Sequence, residues 1–233
     1  MRKQILAVAV VVISLGVMAS ADAFVTYGSR VAQAPDDIID WSQLGPSFTQ
    51  LATPQAFSTF NGNSGLVGNI NGGDFLRLDE GNGWGGNFDY GETLLWTGNA
   101  NFGIGGGGPL AVVFTNGVAS VGMSVQADLY GPFTGTLTLY DSSFNVLTSI
   151  NFSGSSDGSE NGSAVFVGIG DLAGANIFAF TLETDSGDPT YLNDFAIDDV
   201  STSSLVTPEP ASLTLLGSGL VGLAGMVRRK LRG

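Results

Sequence analysis

The sequence predicts an all-β protein built as a two-sheet antiparallel sandwich. Apolar runs are short, turn-forming Gly, Ser, Thr and Asn separate them, and no stretch in the middle of the chain has helical periodicity. Short strands that recur every 10 to 15 residues or so are typical of sandwiches and related all-β folds. The predicted domain covers residues 24–203.

The strand candidates are clearest in the second half of the chain. Val121, Met123 and Val125 alternate with smaller or polar residues, and so do Leu137 and Leu139, which places each set on one face of a strand. The candidates are residues 75–78, 93–97, 110–114, 118–125, 136–140, 146–152, 164–169, 177–182 and 194–200. The glycine-rich first half predicts long loops around few strands.

Residues 1–23 have the features of a signal peptide. A short basic start precedes an apolar run over residues 5–18, and small residues at Ala21 and Ala23 satisfy the small-x-small cleavage rule. A permanent N-terminal anchor is the competing interpretation, but the short apolar run and the Ala-rich exit favour removal. Signal peptidase is then expected to leave Phe24 as the first residue.

The C-terminal residues 204–233 predict a second membrane signal. An uncharged apolar run over residues 211–227 would form a helix of about 25 Å, slightly short of the ~30 Å hydrocarbon core. The basic side chains that follow can extend to the headgroups and place this end in the cytoplasm. The sequence therefore predicts a single membrane helix with a basic tail.

This tail resembles the PEP-CTERM sorting signal of Gram-negative bacteria, with a Pro-Glu-Pro triplet, a Gly-rich apolar helix and an Arg-rich end in that order. The resemblance covers residues 206–233, and Thr207 is a small departure from the usual spacing. It implies recognition by exosortase, a membrane cysteine protease-transpeptidase that cuts near the triplet. The recognition residues that it implies are Pro208, Glu209, Pro210, Arg228, Arg229 and Lys230.

The composition between the two signals excludes several kinds of chemistry. Arg30 and Arg77 are the only bases between residues 24 and 207, against 19 acids, so nucleic acid and anionic membranes are repelled. Without His or Cys in the chain, and without Lys in this segment, the usual nucleophiles and zinc sites are excluded. Carboxylate pairs and carboxylate-bound metals are what is left.

A second resemblance covers roughly residues 112–201, which look like the jelly-roll domains of bacterial exported proteins. Its closing sequence FAIDDV is similar to the last strand of MAM-type and carbohydrate-binding sandwiches. The resemblance implies a jelly roll with a structural Ca²⁺. The candidate ligands are Asp194, Asp198, Asp199 and, from the start of the chain, Asp40. The alternative is that these carboxylates are solvated at a sheet edge.

Aromatic residues in the glycine-rich half suggest a second kind of site. Trp84, Tyr90 and Trp96 could form a platform on which sugar rings stack, because aromatic faces suit the C–H-rich face of a pyranose. The alternative is that these rings are core residues, where aromatic side chains bury large areas.

Together these features predict a non-enzymatic exosortase substrate. It is exported, held at the inner membrane as an intermediate, and then placed at the cell surface or in the extracellular matrix among exopolysaccharides. One alternative is a calcium-stabilised carbohydrate-binding module, and another is a carboxylate-dependent glycoside hydrolase. A glycosidase needs two suitably spaced carboxylates, and 19 acids make some such pair inevitable, so their presence carries no weight.

Overall fold

The structure is a computed structural model that describes residues 24–99, 103–105 and 107–205. Over these residues nearly all regular structure is β-strand, with one four-residue helix, α1, and two short 3₁₀ helices. The prediction of an all-β chain is therefore confirmed. The predicted signal peptide, membrane helix and sorting residues lie outside the described residues.

The elements follow one another along the chain with short connections. They are β1 (Phe24–Tyr27), α1 (Arg30–Gln33), β2 (Asp37–Ile39), a 3₁₀ helix (Trp41–Leu44), β3 (Thr49–Leu51), β4 (Gln55–Ser58), β5 (Ser64–Asn69), β6 (Phe75–Glu80), β7 (Gly83–Trp84), β8 (Thr93–Trp96), β9 (Gly98–Asn99), β10 (Ile104–Gly105), β11 (Leu110–Val118), β12 (Ser120–Ala127), β13 (Gly131–Tyr140), β14 (Val146–Ser156), β15 (Val165–Asp171), β16 (Ile177–Asp185), a 3₁₀ helix (Pro189–Tyr191), β17 (Phe195–Ile197) and β18 (Val200–Ser203).

Most strands form two antiparallel sheets. Sheet A has the order β1-β15-β12-β17-β8-β6-β3; in addition β18 pairs with β12 and β2, and β7 lies parallel to β6. Sheet B has the order β14-β13-β16-β11-β5-β4, and β9 and β10 form a separate small ladder. From β11 to β17 the chain passes repeatedly between the sheets.

The main hydrophobic core contains inward side chains from both sheets. Val121, Met123 and Val125 of sheet A are fully buried, as are Leu137 and Leu139 of sheet B. The period-two pattern therefore predicted the inward faces of β12 and β13 correctly. Burial of these apolar side chains between the sheets is the main stabilising contribution to a fold of this kind.

The first half contains more strands than the sequence suggested. Strands β2 to β5 have only three to six residues each, and each pairs with a strand of the larger sheets, such as β3 with β6 and β5 with β11. Such short segments have little periodicity of their own. They are strands because the neighbouring edge supplies hydrogen-bond partners.

The predicted closing strand over residues 194–200 is interrupted. β17 ends at Ile197 and β18 begins at Val200, with Asp198 and Asp199 between them. β17 pairs with β8 and β12, whereas β18 pairs with β2 and β12. The chain therefore exchanges one outer neighbour for another at the two aspartates, and the Asp198 side chain is buried there.

The strands extend from Phe24 to Ser203. Within the part of the chain that the structure describes, no helix has both the length and the apolar character needed to span a membrane. The predicted membrane helix, residues 211–227, falls beyond that part.

Replacement of Gly65 by Ala tests the close approach of β5 to β11. A Cβ atom at this position would collide with the Val113 carbonyl oxygen and the Phe57 ring. We expect the free energy of unfolding to fall by about 2 kcal/mol, as for other overpacked sites. The control is Gly28→Ala, where nothing lies within 4 Å of the added atom. Equal unfolding midpoints in urea for the two variants would contradict this account of the packing.

Candidate functional site

Acidic side chains from distant parts of the chain converge at the β17–β18 junction. They line a cleft of about 260 Å³, which we call the acidic cleft. Its lining side chains are Arg30, Asp40, Glu92, Thr93, Asp198 and Asp199. The junction supplies Asp198 and Asp199, and the register that pairs Ile197 with Leu95 places the start of β8 beside them.

Arg30 neutralises the most buried acid of this cleft. Its Nη2 atom donates to Asp198 Oδ2 at 2.7 Å and to the Asp199 carbonyl oxygen at 2.9 Å. Asp198 Oδ1 accepts from the Ser124 backbone N–H at 2.7 Å. Both carboxylate oxygens therefore have partners. The Asp198 side chain is 6% exposed and that of Arg30 is 31% exposed, so this is a largely buried, charge-assisted pair.

Thr93 links the other two predicted ligands. Its hydroxyl lies 3.2 Å from Asp40 Oδ1 and 3.1 Å from Asp199 Oδ1. A hydroxyl has one proton, so it can donate to only one of these carboxylates at a time. Asp40 also caps the 3₁₀ helix after it by accepting from the backbone and side chain of Ser42. Asp40 therefore keeps its two hydrogen bonds from Ser42 whichever of the two carboxylates Thr93 donates to.

The cleft raises the pKa of most of its acids. Burial raises the pKa of Asp198 to about 7, although Arg30 opposes the shift. Burial and the nearby charge of Asp40 raise the pKa of Asp199 to about 6. Burial also raises the pKa of Glu92. At Asp40 the burial effect is outweighed by hydrogen bonds from Ser42 and Thr93, which lower its pKa.

Asp194, the fourth predicted calcium ligand, does not belong to this cleft. It precedes β17, whereas Asp198 follows it, so the two Cα atoms are separated by about 13 Å of extended chain. The Asp194 side chain is fully buried, and Oδ1 accepts from Trp96 Nε1 at 2.6 Å. The sequence placed these aspartates together because they are neighbours in the chain, but they lie at opposite ends of a strand.

The structure thus brings together three of the four predicted ligands and adds Glu92, which the sequence did not single out. Only the strand register places Glu92 beside Asp199. Among the described residues, no three acidic side chains have the spacing of a metal site. The donors that resemble calcium ligands, the Asp198 carboxylate and the Asp199 carbonyl, are already bound by Arg30.

The structure separates the three predicted sugar-contacting aromatics. Trp84 is 7% exposed, and its ring centroid lies 6.2 Å from that of half-buried Trp96. Trp84 belongs to a small hydrophobic cluster with Phe88 and Leu94, and Trp96 packs against that cluster. Tyr90 is 75% exposed, and its ring lies close to Gly81. The three rings therefore do not form one exposed platform.

Comparison with known proteins bears on the C-terminal tail. A profile of the PEP-CTERM protein-sorting motif matches residues 206–230. The chain carries a PEP-CTERM sorting motif. All six predicted recognition residues fall inside the matched stretch, which lies outside the described residues. The motif implies that the protein is exported, anchored in the membrane and processed by exosortase.

Outside the tail, the similarity to known proteins is weaker. A DUF4465 family protein from Bacteroides caccae has 10% sequence identity and a TM-score of 0.41; the alignment covers 72% of this chain and 100% of that one. No curated protein matches the sequence.

Substitution of Arg30 by Met tests the buried ion pair. At pH 8 the Asp198 carboxylate would lose its charged partner, so we expect the free energy of unfolding to fall by roughly 1–3 kcal/mol. This is less than for a fully buried ion pair, because solvent screens the partly exposed Arg30. At pH 5 Asp198 is protonated in the folded state, so the loss should shrink.

The sign follows from the raised pKa. With a folded value near 7 and an ordinary value of 3.8, Asp198 contributes stability that is complete below about pH 4 and is lost as the pH rises through 7. Urea unfolding at both pH values measures the difference. The control is the double variant Arg30→Met with Asp198→Asn, which cannot titrate at this site. An equal loss at pH 5 and pH 8 in the single variant would contradict the assignment.

Proposed function

We propose that this protein is an exosortase substrate that works without catalysis as a cell-surface or extracellular-matrix component among exopolysaccharides. Signal peptidase and exosortase are its processing partners, and an inner-membrane intermediate precedes the surface or extracellular product. The observation that carries the proposal is the PEP-CTERM motif at residues 206–230, which starts just after the last strand ends at Ser203.

The junction between domain and motif supports the proposal. The Asp36 carboxylate accepts from the Ser204 backbone N–H at 3.0 and 3.1 Å and from its hydroxyl at 2.5 Å. No strand of the described domain includes residues of the motif. Cleavage near Pro208 would therefore remove the sorting signal without removing a strand, and a complete sandwich would be released.

The charge of the domain favours a hydrated, non-catalytic role. Both basic side chains between residues 24 and 205 form ion pairs, Arg30 with Asp198 and Arg77 with Asp79. The remaining acids favour solubility and repel nucleic acid. A glycoside hydrolase is disfavoured because three acids of the acidic cleft, Asp198, Asp40 and Asp199, accept hydrogen bonds from Arg30, Ser42 and Thr93.

We further infer that the sandwich is of the jelly-roll type. From β11 to β17 the chain passes repeatedly between sheets A and B, with only the hairpin β13–β14 staying in one sheet, as it does in folds built from Greek keys. The hairpins β4–β5 and β13–β14 lie at the two ends of sheet B, which is compatible with that arrangement.

Replacement of Glu209 and Pro210 by Ala tests the sorting proposal. We expect the variant to accumulate in the inner membrane with its C-terminal residues intact, because exosortase would no longer recognise it. Mass spectrometry of the purified protein gives both termini directly. The control is Leu205→Ala, an exposed residue just before the motif. Identical trimming of the variant and the wild type would refute the proposal.

A second candidate is a calcium-stabilised carbohydrate-binding module. Asp40, Glu92 and Asp199 line one cleft, but they do not have the spacing of a formed metal site, so a cation would have to draw them together. A cation on this side of the cleft would leave Arg30 with Asp198. Hard oxygen donors of this kind suit Ca²⁺, and a cation would offset the cost of burying Glu92 and Asp199, whose pKa values burial raises.

Calcium binding should raise the melting temperature. We expect millimolar Ca²⁺ to increase the Tm at pH 8 and EDTA to reverse the increase, with a smaller effect at pH 5, where Asp199 is largely protonated because its pKa is about 6. The Asp199→Asn variant should lose the effect, whereas Glu183→Gln, on an exposed strand position, should keep it. Superimposable melting curves with calcium and with EDTA would exclude this candidate.

A further inference from the structure

A second cleft, of about 470 Å³, lies at the other end of the β8–β17 strand pair. Its lining includes Trp84, Asp128, Tyr130 and Tyr191, and we call it the aromatic cleft. This volume lies within the range of about 300–1,000 Å³ that is usual for ligand pockets. Asp128 belongs to this end of the strand pair, because its backbone N–H donates to the carbonyl oxygen of Asp194, the residue just before β17, at 2.9 Å.

The aromatic rings of this cleft are held in place. Tyr130 is 58% exposed, but its hydroxyl donates to the Gly85 carbonyl oxygen at 2.6 Å, which fixes the ring. Trp84 Nε1 donates to Oε1 of buried Gln126 at 3.3 Å, so Trp84 offers the cleft mainly ring carbons. A fixed, exposed ring suits stacking against the apolar face of a sugar, because little entropy is lost on binding.

A pair of carboxyl groups supplies the polar contact. The side chains of Asp128 and Asp194 are hydrogen-bonded to each other, and Asp194 also accepts a hydrogen bond from Trp96 Nε1. A hydrogen bond between two carboxyl groups requires a proton on one of them, because a carboxylate can only accept. Burial raises the pKa of Asp128. Asp128, the half-buried member of the pair, can thus accept a hydrogen bond from a hydroxyl or ammonium group of a ligand.

The charge of the cleft selects among glycans. No basic side chain lines it, and Arg30 and Arg77 are paired elsewhere. A uronate or sulfated chain would meet a carboxyl group with no compensating cation, whereas neutral sugars meet no repulsion. The ammonium group of an amino sugar would gain attraction from both the carboxyl pair and the aromatic faces.

We propose that the aromatic cleft binds a glycan of neutral or amino sugars, with a ring face on Tyr130 and a hydroxyl or amine on Asp128. The inference rests on the proposed role among exopolysaccharides and names the class of glycan. It is a binding site rather than a glycosidase site. The carboxyl groups touch each other instead of standing about 5–9.5 Å apart, and Asp194 has no exposed surface.

Calorimetric titration of the full-length chain in detergent tests the site. The probes are hexamers of glucosamine, N-acetylglucosamine and galacturonic acid. We expect the first two to bind, the glucosamine hexamer more tightly, and the galacturonic acid hexamer not to bind. Tyr130→Ala should weaken binding about tenfold, and Tyr130→Phe, which keeps the ring, should not. Asp128→Asn should weaken the glucosamine hexamer more than the acetylated one.

Matched controls separate the cleft from general attraction to an acidic protein. Phe144→Ala removes another exposed ring and Glu183→Gln another exposed acid, so both should bind as the wild type does. Failure of both the glucosamine and the N-acetylglucosamine hexamers to bind at millimolar concentration, or equal weakening by Phe144→Ala and Tyr130→Ala, would overturn the inference. A correctly trimmed protein that binds no glycan refutes this inference alone, whereas an untrimmed protein that binds glycan refutes only the sorting proposal.

Discussion

The ion pair between Arg30 and Asp198 is the constraint on which the closing strands depend. An acid sits inside the sandwich where β17 passes into β18, and burial of an unpaired carboxylate would cost several kcal/mol. Arg30 is one of only two bases in the domain, and it lies in α1, immediately after β1. Its guanidinium therefore ties the start of the domain to its last strands across 168 residues of sequence.

The two clefts use the same strand pair for different chemistry. At the β18 end of β17, acids gather around a guanidinium, and burial raises the pKa values of Asp198 and Asp199. At the other end, Asp128 is hydrogen-bonded to Asp194, and aromatic rings form the wall of the cleft. The division arises because Asp194 and Asp198 flank a strand of only three residues. Each end of this short strand can place its aspartate in a separate environment.

The sequence predicted the sandwich and its inward faces because alternation in β12 and β13 is a local signal. It also identified Asp40, Asp198 and Asp199 as neighbours, by resemblance rather than by geometry. It did not find Glu92 or Asp128, because their places depend on which strands pair and in what register. It also could not tell that Trp84 and Trp96 pack together, since nothing local distinguishes a buried tryptophan from an exposed one.

The strand β12 separates the C-terminal end of the described domain from the aromatic cleft. Ser120, at one end, pairs with Ser203 beside the C-terminal junction, and Ala127, at the other end, pairs with Phe195 beside the aromatic cleft. These ends are about 23 Å apart along the strand. Ser204 is held by its hydrogen bonds to Asp36, and only residues 205–207 separate it from Pro208. The Cα atoms of Ser204 and Pro208 can therefore be at most about 14 Å apart. A glycan bound in the aromatic cleft would therefore lie about 23 Å along β12 from the point at which the chain enters the sorting motif, so the two proposed sites use separate surfaces of the domain.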